Sequence, residues 1–331
     1  MKLADLGNIY SSGNAFTTKA ALLQSMYRFA QGEPCGFTTV SLPDGEDANG
    51  KPQKKKVRKE YGHIVNKGES ENKNFYFKET FEYAVERVKN KKPDETIKKD
   101  RLFDNLLSSM PLAFNLFHPL MMLLETNKDV INKILTELFP AYNIKEVEKI
   151  DIEFIPLPIS NYTNDKSAMD AVIFFTDYDD NPNIISIEVK YTDSLGTNKA
   201  SENKLKVEVA KETGYFTKDG IKYITEGCMQ IYRNFLLTEK YRIKEKLSKS
   251  YSIILAPVQH PTTEAEIKAL QKFLSNDCPV DKLSKYSLED FVTIISKNLS
   301  EEKYKVWIKW FYDRYLAFNK VEGFYKELKH K

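Results

Sequence analysis

An acid at Asp170, and an acid and a lysine two residues apart at Glu188 and Lys190, lie on the two arms of an apolar stretch. In an extended strand residues i and i+2 point to the same side, roughly 6–7 Å apart. Glu188 and Lys190 therefore project together, while Ile187, Val189 and Tyr191 face the other way into a core. Two carboxylates and an ammonium on an otherwise hydrophobic ribbon suit the holding of a divalent cation and a water beside a phosphate. Glu-x-Lys occurs six times in the chain, but only Glu188–Lys190 interrupts a β-branched run, where an ion needs a reason.

The hairpin that carries these groups can be laid out by counting. Ala171 to Phe175 reads as one strand, Ile184 to Val189 as the next, and Asp179 to Asn183 as the turn. A three-residue loop centred on Asp180 pairs Asp170 with Lys190 and Val172 with Glu188, so that the polar groups share a face. A five-residue loop centred on Asn181 keeps that parity. A four-residue loop reverses it, because a one-residue slip moves every side chain to the other face. The chemistry requires an odd loop.

Asp170, Glu188 and Lys190 resemble the signature of the PD-(D/E)XK nuclease superfamily, with Met169 where the name-giving proline stands. The wider chain is similar to a bacterial group of restriction-endonuclease-like proteins. The similarity runs through Arg101-Leu102-Phe103, Ser108 to Phe117, Ile152 to Pro156, the two strands above and Gln230 to Asn234. Fainter echoes are Asn74-Phe75 and Arg314-Tyr315-Leu316. The resemblance implies an α/β fold with a restriction-endonuclease-like αβββαβ core, its mixed sheet lying between helical layers. It further implies that Asp170 and Glu188, with the Val189 carbonyl, bind Mg²⁺ or Mn²⁺. Lys190 would orient the attacking water and stabilise developing negative charge. It also implies a helix after the third strand that aims Gln230 at the site. Arg233 beside it would then hold a phosphate oxygen as a bidentate donor. Glu153, one strand earlier, is either a third carboxylate of the metal site or a rim charge paired with Lys149.

The patterning of the chain supplies the same order of elements. Thr126-Asn127 before Asp129 is an N-cap signal opening a helix with Val130, Ile131, Ile134, Leu135, Leu138 and Phe139 on one side. Lys149 to Leu157 reads as a strand stopped by Pro156 and Pro158. Residues 222–239 read as a single amphipathic helix, with Ile224, Cys228, Ile231, Tyr232 and Phe235 as its apolar stripe. Glu226, Gln230 and Arg233 or Asn234 fall on its other face. Tyr251 to Val258 reads as a buried strand. Alternating strands and helices argue for α/β layers.

Outside this core, Thr18 to Ala30 reads as a helix burying Ala21, Leu22, Met26 and Phe29. Residues 31–73 read as loop-rich, Phe75 to Lys89 as helix, and 101–125 as helix broken by Pro111 and Pro119. Trp307, Trp310, Phe311, Tyr315 and Phe318 recur at helical spacing, a packing stripe. The expected layout is a helical, basic-loop extension over 1–100, a nuclease core over 101–260 and a C-terminal helical region over 261–331.

The 331 residues exceed one typical domain, and 41% hydrophobic content supports a sizeable core. A net charge of +3 says little about partners, but local clustering says more. Lys54, Lys55, Lys56, Arg58 and Lys59 form a dense basic run. Lys89, Lys91, Lys92, Lys98, Lys99 and Arg101 form a second, and Lys199, Lys204, Lys206 and Lys211 a third. Beside a phosphodiesterase site such runs become phosphate contacts with salt-sensitive affinity. Cys35, Cys228 and Cys278 have no paired spacing, and His63, His118, His260 and His330 have none of the spacings of a zinc site. No phosphate-cradling glycine loop occurs, which argues against nucleotide hydrolysis. With no apolar leader at Met1–Asp5 and no membrane-length apolar run, a soluble cytoplasmic protein is expected.

Two function classes follow. One is a Mg²⁺-dependent DNA endonuclease, of restriction or phage-defence type, working as a homodimer if it cuts both strands. The other is a nucleic-acid-binding or scaffold protein on the same fold without catalysis. A nuclease acting on RNA or on structured DNA is a variant of the first.

Overall fold

Two stretches of the basic region that reads as loop are paired strands. β1 (Gly36–Glu46) and β2 (Pro52–Tyr61) form an antiparallel ribbon, with Gly36 opposite Tyr61 and Pro43 opposite Lys54. The computed structural model describes residues 1–46, 52–193, 204–227 and 229–330. Gly50, Lys199, Glu202 and Cys228 lie outside the described residues.

The ribbon belongs to a unit made of Met1–Asn74, Lys99–Leu107 and Asp313–Lys331. Its helix Ala15–Ala30 starts at Asn14, whose side chain accepts from the Thr17 N–H. Ala21 and Leu22 are buried as expected, but Met26 is only partly so and Phe29 is exposed. Leu23 and Arg28 are buried as well, and the Arg28 guanidinium donates to the Gly62 carbonyl at 2.8 Å. Arg314, fully buried, donates to the Asn74 carbonyl at 2.7 Å and lies over the Tyr27 and Tyr315 rings. The two fainter sequence echoes thus meet in one contact.

The second unit comprises Phe75–Lys98 and Ser108–Tyr312 and carries the main sheet. Its strands are β3 (Ile144–Phe154), β4 (Met169–Asp177), β5 (Pro182–Val189), β6 (Lys249–Ala256) and β7 (Leu283–Ser287), adjacent in that order. β3, β4 and β5 pair antiparallel, and β5, β6 and β7 pair parallel. β3 starts earlier than its sequence suggested and ends at Phe154, ahead of Pro156. Alternation sorts the two faces. On one, Phe175 stacks on Tyr251, Tyr251 on Tyr142, and Tyr142 in turn on Phe139. On the other, Ser186 accepts from Thr238 at 2.8 Å on helix Gln230–Lys244. Helix Lys128–Leu138 begins at Asn127 as its cap signal indicated, burying Ile131, Ile134, Leu135 and Leu138.

Residues 109–126 form one helix, Ser109–Thr126, through both prolines. Pro111 occupies the first turn, where a backbone N–H has no helical acceptor. Pro119 is interior and removes the donor that would reach the Asn115 carbonyl. The buried Trp307 indole supplies it instead, at 2.9 Å. Trp307→Phe should therefore cost about 1–3 kcal/mol by removing that buried donor. In a Pro119→Ala background, which returns a helical N–H, urea unfolding should show a smaller loss; equal losses would refute the account. Trp307, Phe311, Tyr315 and Phe318 are all buried, in keeping with a packing stripe.

Residues 222–239 are not one helix. Lys218–Glu226 ends at Gly227, whose φ of 139° no side-chain-bearing residue adopts easily, and Gln230–Lys244 begins afresh after Met229. Glu226 consequently does not share a helix face with Gln230; it is exposed and pairs only distantly with Lys222 at 3.9 Å.

Candidate active site

The hairpin register fixes the site. Ala171 pairs with Ile187 and Thr176 with Pro182, so the connection is the five residues Asp177–Asn181, centred on Asp179. The loop is odd, as the chemistry requires, but centred on neither Asp180 nor Asn181. The reason is local: the Asp177 carboxylate accepts from the Asp179 and Asn181 N–H groups at 3.0 and 2.9 Å, starting the turn two residues early. Continuing the register one step places Asp170 opposite Glu188 rather than Lys190.

Glu188 is the hub. Its Oε1 accepts from the Lys190 ammonium at 2.7 Å and from the Gln230 amide at 2.7 Å, and its Oε2 accepts from the Asn234 amide. The Gln230 carbonyl oxygen in turn lies 3.5 Å from the Lys190 nitrogen. Glu188 and Lys190 are both buried, at 4% and 5% exposure, so an unpaired charge at either position would be costly. The break at Gly227 is what brings Gln230 to the first turn of its helix, where the positive end of the dipole favours a carboxylate. Asn234 follows one turn later on the same side. Its spacing from Gln230 was the available sequence signal, although the alternative with Arg233 left it undecided.

Asp170 is partly exposed and accepts from the Val189 N–H at 2.7 Å. Desolvation, then the nearby Glu188 and Glu153 carboxylates, hold its own carboxyl well above the ordinary range, against the pull of Lys190 and the Val189 N–H. Burial pushes the Lys190 ammonium down, but Glu188 and Asp170 outweigh it and keep its pKa above the usual value. Glu153 is buried near this group, and Lys149 pairs with Asp151 at 2.7 Å. Its φ of 50° lies in the left-handed region, a strain of about 1–3 kcal/mol that its surroundings must hold. Arg87, which the sequence gave no reason to single out, donates to the Ile152 and Glu153 carbonyls at 2.9 and 3.1 Å and anchors this strand end.

The donor set fits a hard divalent cation. Glu188 and Glu153 lie close to Asp170, and burial together with this negative charge holds the Asp170 carboxyl above its ordinary range. Among the described residues no three or more His, Cys, Asp or Glu side chains converge into a metal site by themselves. Two carboxylates completed by waters are what Mg²⁺ ordinarily takes.

Arg233 stands apart from this hub. Its guanidinium is 3.9 Å from Asp165, which also binds the buried Lys206 at 2.9 Å, and its Nε has no hydrogen-bond partner among the described residues. Lys54, Lys55, Lys56, Arg58 and Lys59 lie on β2, in the other unit.

An α/β sheet presenting two acids and a lysine from adjacent strands defines a class of metal-assisted hydrolase sites. A sequence model described as the PD-(D/E)XK nuclease superfamily matches residues 11–317, nearly the whole chain. The protein belongs to the PD-(D/E)XK nuclease superfamily. Neither the curated proteins nor the solved structures searched contain a match. No helix among the described residues is long and apolar enough to cross a membrane.

Proposed function

We propose that the protein is a metal-dependent endonuclease that hydrolyses DNA phosphodiester bonds. The observation that carries this reading is the buried contact of Glu188 with Lys190 at 2.7 Å, directly across the strand pair from Asp170. Asp170 and Glu188, with the Val189 carbonyl, would hold Mg²⁺ or Mn²⁺; Glu153, close enough to raise the Asp170 pKa, adds negative charge to the same pocket. A cation bound there supplies positive charge to the phosphate and lowers the pKa of water. Lys190, kept charged by its two acids, orients the incoming water and stabilises charge building on the phosphate oxygens. Gln230 spans Glu188 and Lys190 and fixes their separation, and Asn234 holds the outer oxygen of Glu188. Arg233 binds the flanking phosphate. Water adds to phosphorus, the P–O ester bond breaks, and the departing oxygen leaves protonated.

The similarity to restriction-endonuclease-like proteins supports a role in restriction or phage defence, in the cytoplasm, with two copies acting together on a duplex. The test is incubation of the pure protein with plasmid, single-stranded DNA and RNA, in Mg²⁺ and in EDTA. Cleavage of the plasmid in Mg²⁺ alone is expected. No cleavage of any nucleic acid would favour a binding or scaffold protein, and cleavage of RNA alone would move the substrate.

A further inference from the structure

One face of the ribbon of β1 and β2 carries three of its five described basic residues. Residues directly opposite in an antiparallel pair share a face, so Lys54, Lys56, Arg58 and the acid Glu60 stand with Pro43, Ser41, Thr39 and Phe37 on one side. The other side carries Lys55 and Lys59 with Leu42, Val40, Val57 and Thr38. Lys54, Lys56, Arg58, Ser41 and Thr39 are all exposed. Among the described residues none of the three cations on the first face has an ion-pair partner, whereas Lys55 on the second binds Asp44 at 3.1 Å. Arg58 lies over the ring of Phe37, itself 45% exposed, with 4.5 Å to the centroid. That stacking orders the guanidinium before any partner arrives.

Exposed lysines also keep ribbon edges from pairing with other chains. That role explains cations on the ribbon but not the grouping of three of them, none with an ion-pair partner among the described residues, beside Ser41 and Thr39 on one face. We propose that this face of the ribbon enters the major groove of a B-form DNA duplex, Lys54, Lys56 and Arg58 meeting phosphates and Ser41 and Thr39 meeting base edges or sugars. Two strands about 4.8 Å apart with their side chains fill a groove about 12 Å wide. The deep, narrow major groove of an RNA duplex does not admit them. The inference deepens the nuclease reading by naming the form of its substrate and rests on that reading.

Binding is measured with the full-length chain in EDTA, so that it is read without cleavage, on a 20-base-pair DNA duplex and an RNA duplex of the same sequence. The triple variant Lys54→Ala/Lys56→Ala/Arg58→Ala should weaken DNA-duplex binding about 100-fold at 0.1 M salt. The slope of log K against log salt should shrink by about 2–3. Lys55→Ala/Lys59→Ala should lose far less. In Mg²⁺ the triple variant should show a raised KM with unchanged kcat. Unchanged affinity and slope, equal losses from the two faces, or equal losses on RNA would each overturn the groove proposal. Wild-type protein that binds the duplex through this face but never cleaves it would leave the ribbon standing and remove the nuclease reading.

Discussion

Asp170→Asn is expected to abolish cleavage and yet melt at a higher temperature than the wild-type protein in EDTA. Both effects come from one cause. In the metal-free protein the Asp170 carboxyl is desolvated and faces Glu188 and Glu153, which raises its pKa above the ordinary 3.8. The sign follows from linkage. A folded-state pKa above the unfolded value contributes stability that is full below about pH 3.8 and lost as pH rises through the folded value. As pH rises from about 3.8 toward the folded value the wild-type protein loses that contribution, whereas an asparagine has no proton to release. Its amide oxygen can still accept from the Val189 N–H. The midpoint should rise by roughly 2 °C or more, the shift about 1 kcal/mol produces in a sizeable domain. Mg²⁺ should raise the wild-type midpoint and leave the variant's almost unchanged, since a ligand stabilises only the state that binds it. A variant that melts lower than wild type in EDTA, or gains as much from Mg²⁺, would show that Asp170 is not a strained metal ligand.

The same opposition explains which parts of this molecule its sequence disclosed. Parity along β4 and β5 is a property of single residues, so the shared face of Asp170, Glu188 and Lys190 was countable from the chain. Which of them stand opposite each other depended on where the turn begins, and that was decided by the Asp177 carboxylate gathering two loop N–H groups. Gly227 carries no break signal because an amphipathic stripe continues through it, while the φ it adopts is settled by the fold. Pro119 reads as a break because its compensation, the Trp307 indole, comes from far along the chain. The ribbon was hidden for another reason. With charges on both faces and little to bury, β1 and β2 lack the alternation that marks a half-buried strand. The left-handed backbone at Glu153 had no local signal whatever, since glutamate does not favour that conformation.

Lys190→Met is expected to lower kcat for DNA cleavage by at least about 10³-fold, or ~4 kcal/mol of transition-state stabilisation. It should also destabilise the metal-free protein by about 3–5 kcal/mol, the usual consequence of removing one partner from a buried ion pair. Glu188 keeps its Gln230 and Asn234 donors but no longer has an ammonium, and it remains beside Asp170 and Glu153. Two additions separate the roles of charge and chemistry. Mg²⁺ should restore part of the lost stability, because any cation relieves the three acids, but it should restore no activity. Glu188→Gln in the same chain should restore stability without metal, since the pair is then neutral on both sides, and Mg²⁺ should do little more for it. Urea unfolding with and without Mg²⁺ reads the first effect, and single-turnover cleavage reads the second. Full activity in Lys190→Met would sink the assignment. Lost stability that neither Mg²⁺ nor Glu188→Gln recovers would mean that Lys190 serves packing rather than the charge balance of the site.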